Sequence, residues 1–346
     1  MVRWVPVRDI PAQPWGWVFA GAVMMMLAGW EWYWRAFDAT PSSRSNSALW
    51  AIQRGRIDHG EGDATVLIGD SRMFFDLQLP VWERLAGKRP VQLAFEGSSS
   101  LPFLEDLAAD PNFTGRLLIS GTPINLFNES SGHIEAIRYY RDESPSQRVG
   151  QWLSMHFVDP FFAFDDPDFA LATVIERQPW PKRPGAAHVV RVRKLSQSAA
   201  DRNTHMWSRV ETDPEYRALA RSIWAQRFAD QKVNPPPLKR QENIARIIGR
   251  AARAIDALHS RGVKVLFVRL PSSGPYLEVE NTIFPRTTAW EPLLAGTKTP
   301  GIHFQDYPEL NRFEPPEWSH LAWQDAEQFT ESLYRIIQRD FWPRED

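Results

Sequence analysis

Four short apolar runs constrain the fold of this 346-residue chain more than any other feature of its sequence. They lie at 64–68, 90–95, 116–121 and 263–271, and each is followed by a turn rich in Gly, Ser, Pro or Asn. Apolar runs of this length without polar alternation are typical of strands buried on both faces. The helical segments between them indicate a parallel sheet covered by helices. Ligands of such sheets bind beyond the carboxyl ends of the strands, which is where these turns lie.

Helical periodicity, and its absence, divide the rest of the chain. Over about 239–260, apolar residues recur on one helical stripe, and Gly262 ends the helix. Residues 128–238 carry scattered aromatics and many Pro and Arg residues but no strand ladder. We therefore predict an α/β domain formed by 63–127 and 239–346. A mostly helical and irregular insertion over 128–238, which could form a lid or a partner surface, interrupts it.

The N-terminal part has the pattern of a membrane anchor. Residues 15–34 read WGWVFAGAVMMMLAGWEWYW, with one charge near the end and Trp on both sides. Twenty helical residues span about 30 Å, the thickness of the hydrocarbon core of a bilayer, and Trp marks its two interfaces. We predict a transmembrane signal anchor over 1–35 and a polar tether over 36–62. Arg3 and Arg8 favour a cytoplasmic N-terminus with the rest of the chain outside. A cleaved signal peptide and a buried core helix are the alternatives.

The composition excludes several classes of function. The chain contains no Cys, which excludes disulfides, thiolate metal sites and a Cys nucleophile. The formal net charge is −2 and the Lys and Arg residues are dispersed, so nothing indicates nucleic-acid binding. The eight His include no helical metal-binding pair, and neither a P-loop nor a dinucleotide fingerprint occurs. We predict no metal and no cofactor.

A serine and a histidine occupy positions suited to nucleophilic catalysis. Ser71 follows the first predicted strand in the sequence Gly-Asp-Ser-Arg, and a serine attacks only when a base takes its proton. His320, just before an amphipathic C-terminal helix, is the candidate base. Glu317, three residues earlier, can hold the other imidazole nitrogen and select its tautomer. Asp306 and Glu314 remain alternative acids.

Two further turns supply candidates for stabilising an oxyanion, which an acyl-transfer site requires. Gly97 follows the second predicted strand and allows a close backbone N–H, and Asn125 follows the third and offers a side-chain amide. Arg72, next to the candidate nucleophile, either binds an anionic substrate group or pairs with a surface acid.

The ordered set Ser71, Gly97, Asn125 and His320 resembles the SGNH (GDSL-like) hydrolase superfamily, whose signature residues are Ser, Gly, Asn and His. The resemblance implies a flavodoxin-like three-layer α/β/α fold and places the backbone N–H of Ser71 in the oxyanion hole. The chain departs from the pattern in two blocks. Gly-Thr-Pro-Ile-Asn stands in place of Gly-x-Asn-Asp, and Glu317 stands where the family has Asp.

Membrane-tethered members of this superfamily are similar to proteins that O-acetylate or deacetylate bacterial exopolysaccharides and cell-wall polymers. The resemblance therefore implies an O-acyltransferase or acetyl esterase whose acyl-enzyme on Ser71 is released to a sugar hydroxyl or to water. It implies an acyl donor and a glycan acceptor as partners, a multi-pass membrane protein as a further one, and an inner-membrane location with the catalytic domain in the periplasm. The alternative is a scaffold or binding protein that keeps the fold without the activity.

Overall fold

The computed structural model describes residues 15–128, 134–177, 194–233 and 236–343. Its strands belong to one five-stranded sheet and one two-stranded hairpin. They are β1 (Thr65–Ile68), β2 (Val91–Gln92), β3 (Arg116–Ser120), β4 (Ser196–Ser198), β5 (Thr204–Met206), β6 (Lys264–Arg269) and β7 (Gly301–His303). The sheet order is β2-β1-β3-β6-β7 with every neighbouring pair parallel, and β4 and β5 form the antiparallel hairpin.

The predicted parallel sheet is confirmed, and the four apolar runs contain β1, β2, β3 and β6. The fifth strand, β7, was not predicted. It is three residues long and begins at a glycine, so its sequence lacks the apolar pattern of a strand. The order of the strands reverses beside β1, because the chain runs outward to β2 and then crosses back to β3. Ligand sites of open α/β sheets form at such reversals.

Helices cover both faces of the sheet. The α-helices of the described ranges, including those that do not contact the sheet, are α1 (Trp15–Ala36), α2 (Ser47–Arg56), α3 (Ser71–Asp76), α4 (Leu79–Ala86), α5 (Leu101–Ala109), α6 (Pro123–Leu126), α7 (Ile134–Asp142), α8 (Pro145–Phe157), α9 (Leu171–Glu176), α10 (Ser208–Thr212), α11 (Pro214–Val233), α12 (Pro237–His259), α13 (Gly274–Ile283), α14 (Trp290–Thr297), α15 (Pro308–Asn311) and α16 (Trp323–Asp340).

The alternation of side chains along the strands explains why two cores form. Val66 and Ile68 of β1 belong to a cluster with residues of α5, α12 and α14. Leu67, between them, belongs to a second cluster with residues of α3, α4 and α16. Successive strand residues point to opposite faces, so a strand of continuous apolar residues requires helices on both sides. The predicted helix near 239–260 corresponds to α12, whose apolar stripe faces the first cluster.

The predicted tether over 36–62 is wrong for its second half. Asn46 caps α2 by accepting a hydrogen bond from the Leu49 backbone N–H at 2.8 Å. Trp50 of this helix is fully buried, and its indole N–H donates to the Leu93 carbonyl at 2.9 Å. Two of the polar residues that suggested a tether, Gln53 and Arg54, are themselves buried in this helix, and Arg54 pairs with Asp106 at 2.9 Å.

The described part of the insertion is mostly helical, from α7 to α11. It also contains the β4–β5 hairpin, which was not predicted because its residues are polar. The hairpin docks on the α/β domain, since the Gln78 side chain donates to the Thr204 carbonyl at 2.8 Å. Arg202, in its turn, lies over the rings of Phe74 and Phe95. The insertion is thereby attached directly above the sheet edge that carries the candidate site.

Helix α1 covers the apolar part of the predicted anchor, whereas Arg3 and Arg8 lie outside the described residues. Judged by length and hydropathy, none of the helices in the described ranges qualifies as membrane-spanning, so the predicted transmembrane helix is not found. The C-terminal third of α1 is attached to the insertion. Trp34 stacks on Phe169 at 4.6 Å between ring centroids, and the Glu31 carboxylate accepts the backbone N–H groups of 163 and 164 at 3.0 Å each.

Candidate active site

A tight turn after β1 presents Ser71 at the carboxyl edge of the sheet. Gly69 has φ +151°, and a Cβ at this position would lie 2.3 Å from the Cβ of Ser120. Only glycine therefore lets the chain turn so close to β3. Ser71 is the first residue of α3, where backbone N–H groups have no partner within the helix. The predicted nucleophile thus stands at the start of a helix, beside N–H groups that can face a substrate.

Ser71, His320 and Glu317 form a continuous hydrogen-bonded series, although 249 positions separate the serine from the histidine. The Oγ of Ser71 lies 2.8 Å from Nε2 of His320. Nδ1 of His320 lies 2.6 Å from Oε1 of Glu317, which also accepts the His320 backbone N–H at 2.7 Å. Donation of Nδ1–H to the carboxylate leaves Nε2 as the acceptor for the serine hydroxyl. This is the arrangement in which a serine proton can be removed.

The environment of His320 favours its protonated form. Burial alone would lower the pKa of the imidazole, but the charge of Glu317 and its hydrogen bond raise the pKa above the ordinary value. Phe75 stacks on one face of the imidazole, with 4.3 Å between the ring centroids, and restricts its orientation. A base that is both fixed in orientation and able to hold a proton in a buried site suits general acid–base catalysis.

Of the three candidate acids, the structure pairs only Glu317 with the histidine. Asp306 instead accepts two hydrogen bonds of 2.6 Å from Arg286, in an exposed ion pair. Glu314 is exposed on the loop before His320. Glu317 is fully buried, and the three-residue spacing allows its carboxylate to reach both the backbone N–H and Nδ1 of His320.

Asn125 and Gly97, the predicted oxyanion donors, both line the same pocket as Ser71. Asn125 lies in α6, the short helix after β3, and its side-chain amide donates to Oδ2 of Asp70 at 2.6 Å. The other oxygen of Asp70 accepts the hydroxyl of Ser120 at 2.9 Å. Asp70 therefore fixes the orientation of the Asn125 amide. Gly97 has φ +64°, in the left-handed region that favours glycine.

Arg72, predicted to bind an anionic substrate group or to pair with a surface acid, pairs with a buried acid and also lines the pocket. Its side chain is 1% exposed and lies 3.0 Å from Glu280, which also accepts hydrogen bonds from Arg269 and Ser272. Burial would lower the pKa of Arg72, but Glu280 raises it above its usual range. Its Nε donates to the Ser319 hydroxyl at 3.3 Å, next to His320. Arg72 thus supports the base rather than presenting a free cation to solvent.

The pocket around Ser71 has a volume of about 340 Å³ and is lined by both parts of the chain. The insertion contributes Asp168, Leu195, Ser196, Trp224 and Phe228. Partial desolvation raises the pKa of Glu96 on the opposite wall, and the nearby carboxylate of Asp168 raises it further. The volume suits a small substituent such as a short acyl ester with part of the group that carries it.

Sequence reasoning missed two residues that touch the base or its acid, and a third that binds the residue after the base. Phe75 stacks on His320, and the Trp224 indole donates to Oε2 of Glu317 at 2.5 Å. Asp76 accepts the Leu321 backbone N–H at 2.9 Å, and burial raises its pKa to about 7. Phe75 and Asp76 follow the nucleophile by four and five residues in the same helix, which is the only signal in the sequence for them. Nothing local marks Trp224.

The chain was compared with known proteins. No protein-family model matches it, and no curated protein is significantly similar to it. Within the described ranges, no cluster of His, Asp and Glu side chains could hold a metal ion.

Proposed function

We propose that this protein is a serine acyl-transfer enzyme with an SGNH-like active site. The observation that carries the proposal is the pair of hydrogen bonds that joins Ser71 to His320 at 2.8 Å and His320 to Glu317 at 2.6 Å. A scaffold that merely retained the fold would have no physical need for a buried carboxylate behind an imidazole, because an uncompensated buried charge is costly.

The reaction follows from these contacts. His320 takes the Ser71 proton on Nε2 while Oγ attacks the acyl carbon of an ester. The oxyanion is stabilised by the backbone N–H of Ser71 and by groups at Gly97 and Asn125. Collapse of the intermediate expels the alcohol, which takes the proton from His320, and leaves an acyl ester on Ser71. A sugar hydroxyl or water then gives its proton to Nε2 and attacks the acyl carbon. Collapse of this second intermediate breaks the bond to Oγ, returns the proton from Nε2 to Ser71 and releases the acylated sugar or the carboxylic acid.

The test uses the full chain with p-nitrophenyl acetate and with a fluorophosphonate, which labels activated serines covalently. We expect hydrolysis, and both Ser71→Ala and His320→Ala to lower kcat/KM at least about 10³-fold. Ser144→Ala is the matched control, since Ser144 caps α8 outside the pocket and its loss affects stability alone.

Labelling of Ser71 without hydrolysis supports a transferase that requires its own donor. If the folded protein shows neither hydrolysis nor labelling, the proposal is refuted and the scaffold remains as the explanation.

The resemblance to membrane-tethered family members also supports a proposal for the substrate and the location. We infer an extracytoplasmic glycan or cell-wall polymer as the acceptor, with the chain held at the inner membrane. The N-terminal two thirds of α1 supports this, because large apolar side chains are exposed along it, including Trp17, Phe19 and Met25. A multi-pass membrane protein that supplies acyl groups would be the partner.

Co-sedimentation of the full chain with phosphatidylethanolamine–phosphatidylglycerol vesicles tests the membrane proposal. We expect the wild type to pellet with vesicles and Phe19→Glu with Met25→Glu to remain in the supernatant. A wild-type protein that stays in solution as a discrete dimer would contradict it and would assign the apolar surface of α1 to a second copy.

A further inference from the structure

The insertion reaches the catalytic acid directly. Glu317 divides its two carboxylate oxygens between different partners. Oε1 accepts both hydrogen bonds from His320, and Oε2 accepts the indole N–H of Trp224 at 2.5 Å. Trp224 belongs to α11, 93 positions before Glu317, and its ring also lines the pocket. Within the described ranges, the hydrogen bond to Oε2 of Glu317 therefore comes from the insertion and not from the α/β domain.

The same helix holds the loop that carries the acid and the base. The Arg221 guanidinium donates to the Pro316 carbonyl at 2.9 Å from Nε and lies over the Trp318 ring at 5.3 Å. Phe228 packs on the same ring at 6.4 Å between centroids. Trp318 has φ +76°, an unfavourable value for a non-glycine residue, which persists only when surrounding contacts impose it.

A hydrogen bond from an indole has a specific effect on a buried carboxylate. The indole N–H donates and cannot accept, so it fixes which way the second oxygen points. It also stabilises the ionised carboxylate without adding a charge near the imidazole. The contact with α11 thus orients the carboxylate behind the catalytic histidine and gives it a hydrogen-bond donor in place of water.

We propose that Trp224 is a positioning residue for the Glu317–His320 pair, and that the insertion through α11 completes the catalytic triad. Trp224 acts on the reaction through Glu317 and is not itself a reacting group. This inference rests on the proposed function for its catalytic consequence, while the contact itself can be tested without any substrate.

Loss of the Trp224 hydrogen bond should change the protonation of the Glu317–His320 pair in one direction. The pair of Glu317 and His320 carries one net negative charge when His320 is neutral and none when it is protonated. Loss of the Trp224 donor destabilises the negative form, so the pair takes up a proton at higher pH. The other titratable groups that face the pair stay the same in every variant, namely Arg72 and Asp76 on α3, Tyr276 on α13 and Glu96 after β2.

The experiment compares Trp224→Phe with Trp207→Phe in the full chain. Trp207 is the matched control because it is a buried tryptophan of the insertion whose indole N–H donates to the Asp38 carbonyl at 3.3 Å, away from the pocket. For Trp224→Phe we expect kcat to fall about tenfold near pH 6, with KM within twofold and a smaller loss at high pH. The acid limb of the kcat/KM profile should move to higher pH. Trp207→Phe should destabilise the protein without moving that limb.

A second readout is independent of activity. NMR titration of the His320 imidazole should give a higher apparent pKa in Trp224→Phe than in wild type and in Trp207→Phe. If Trp224→Phe fails to fold, 3-benzothienylalanine at position 224 preserves the ring shape and removes the donor alone. Coincident titration curves in wild type and either variant at position 224 would overturn the proposal. If the wild type shows neither esterase activity nor serine labelling, the proposed function is refuted. The titration would still test whether Trp224 controls the protonation of His320.

Discussion

The α/β domain and the insertion contribute differently to one pocket. The α/β domain supplies the three groups of the proposed triad, Ser71 from the turn after β1 and Glu317 and His320 from the loop before α16. The insertion supplies walls and supporting contacts, among them Trp224 on the acid. The groups of the proposed triad therefore belong to a regular α/β framework, whereas part of the pocket around them belongs to a segment with no regular sequence pattern.

The two regions also differ in how their contacts are anchored. The proposed nucleophile directly follows β1, so the hydrogen-bonded register of β1 with β3 fixes its position, whereas Glu317 and His320 lie on the loop before α16. Insertion residues reach the pocket from helices and a hairpin whose own small core includes Met206, Trp207 and Tyr216. Substitutions should therefore act on the reaction in the first region and on stability or on the acid in the second. The following predictions test this division from the largest effect to the smallest.

Replacing the triad acid should produce the largest effect. Glu317→Gln retains the shape of the side chain but removes the charge that stabilises the imidazolium and selects its tautomer. We expect kcat to fall about 10³- to 10⁴-fold. Asp306→Asn is the matched control, because Asp306 pairs with Arg286 at the surface and should change kcat less than about twofold. An equal loss in both variants would show that the acid has been misassigned.

The pH dependence of stability should come from the α/β domain through Asp76. Burial raises its pKa to about 7, against about 3.9 for an ordinary Asp. Between these values the folded state binds a proton that the unfolded state does not, so stability falls as pH rises, by up to about 4 kcal/mol. Asp76→Asn keeps an acceptor for the Leu321 N–H and cannot titrate.

Urea unfolding of wild type and Asp76→Asn at pH 5 and pH 8 checks this expectation. The variant should lose less stability than wild type between the two pH values. If both lose the same amount, Asp76 is ionised throughout and another group accounts for the slope.

Loss of the side-chain oxyanion donor should have an intermediate effect. Asn125→Ala removes an amide that Asp70 holds at the pocket, and we expect kcat to fall about 10²-fold, with KM little changed. Asn281→Ala, at an exposed position of α13, serves as the control in the same kinetic assay. A change confined to KM would mean that Asn125 binds the ground state and does not stabilise the oxyanion.

The smallest effect is expected in the insertion away from the pocket. Tyr216→Phe removes a hydroxyl that donates to the Lys194 carbonyl at 2.9 Å. The free energy of unfolding should fall by about 1 kcal/mol, with kcat and the pH profile unchanged. A change in kcat larger than about twofold would break the distinction between the core of the insertion and Trp224.

The sequence was most informative where chemistry and regular structure coincide. Continuous apolar runs require burial on both faces, so β1, β3 and β6 could be located from composition and length. Parallel strands bring their carboxyl ends to one edge, which is why turns far apart in the chain could be predicted to form one site. The three-residue spacing made Glu317 one of three candidate acids for pairing with His320.

Elements whose pattern is polar or mixed were decided only by tertiary packing. The segment that suggested a tether contains α2, because one face of that helix carries Trp50 into the core. The choice among three acids required the fold, since Asp306 is turned to Arg286 and Glu314 to solvent. The bond between Trp224 and Glu317 joins residues 93 positions apart through a helix with no strand register to constrain it. By itself, the sequence predicted four of the five strands and proposed Ser71 and His320 as nucleophile and base, because local patterns encode burial and turns. Tertiary structure alone decided what encloses them, because long-range contacts between irregular segments leave no local pattern.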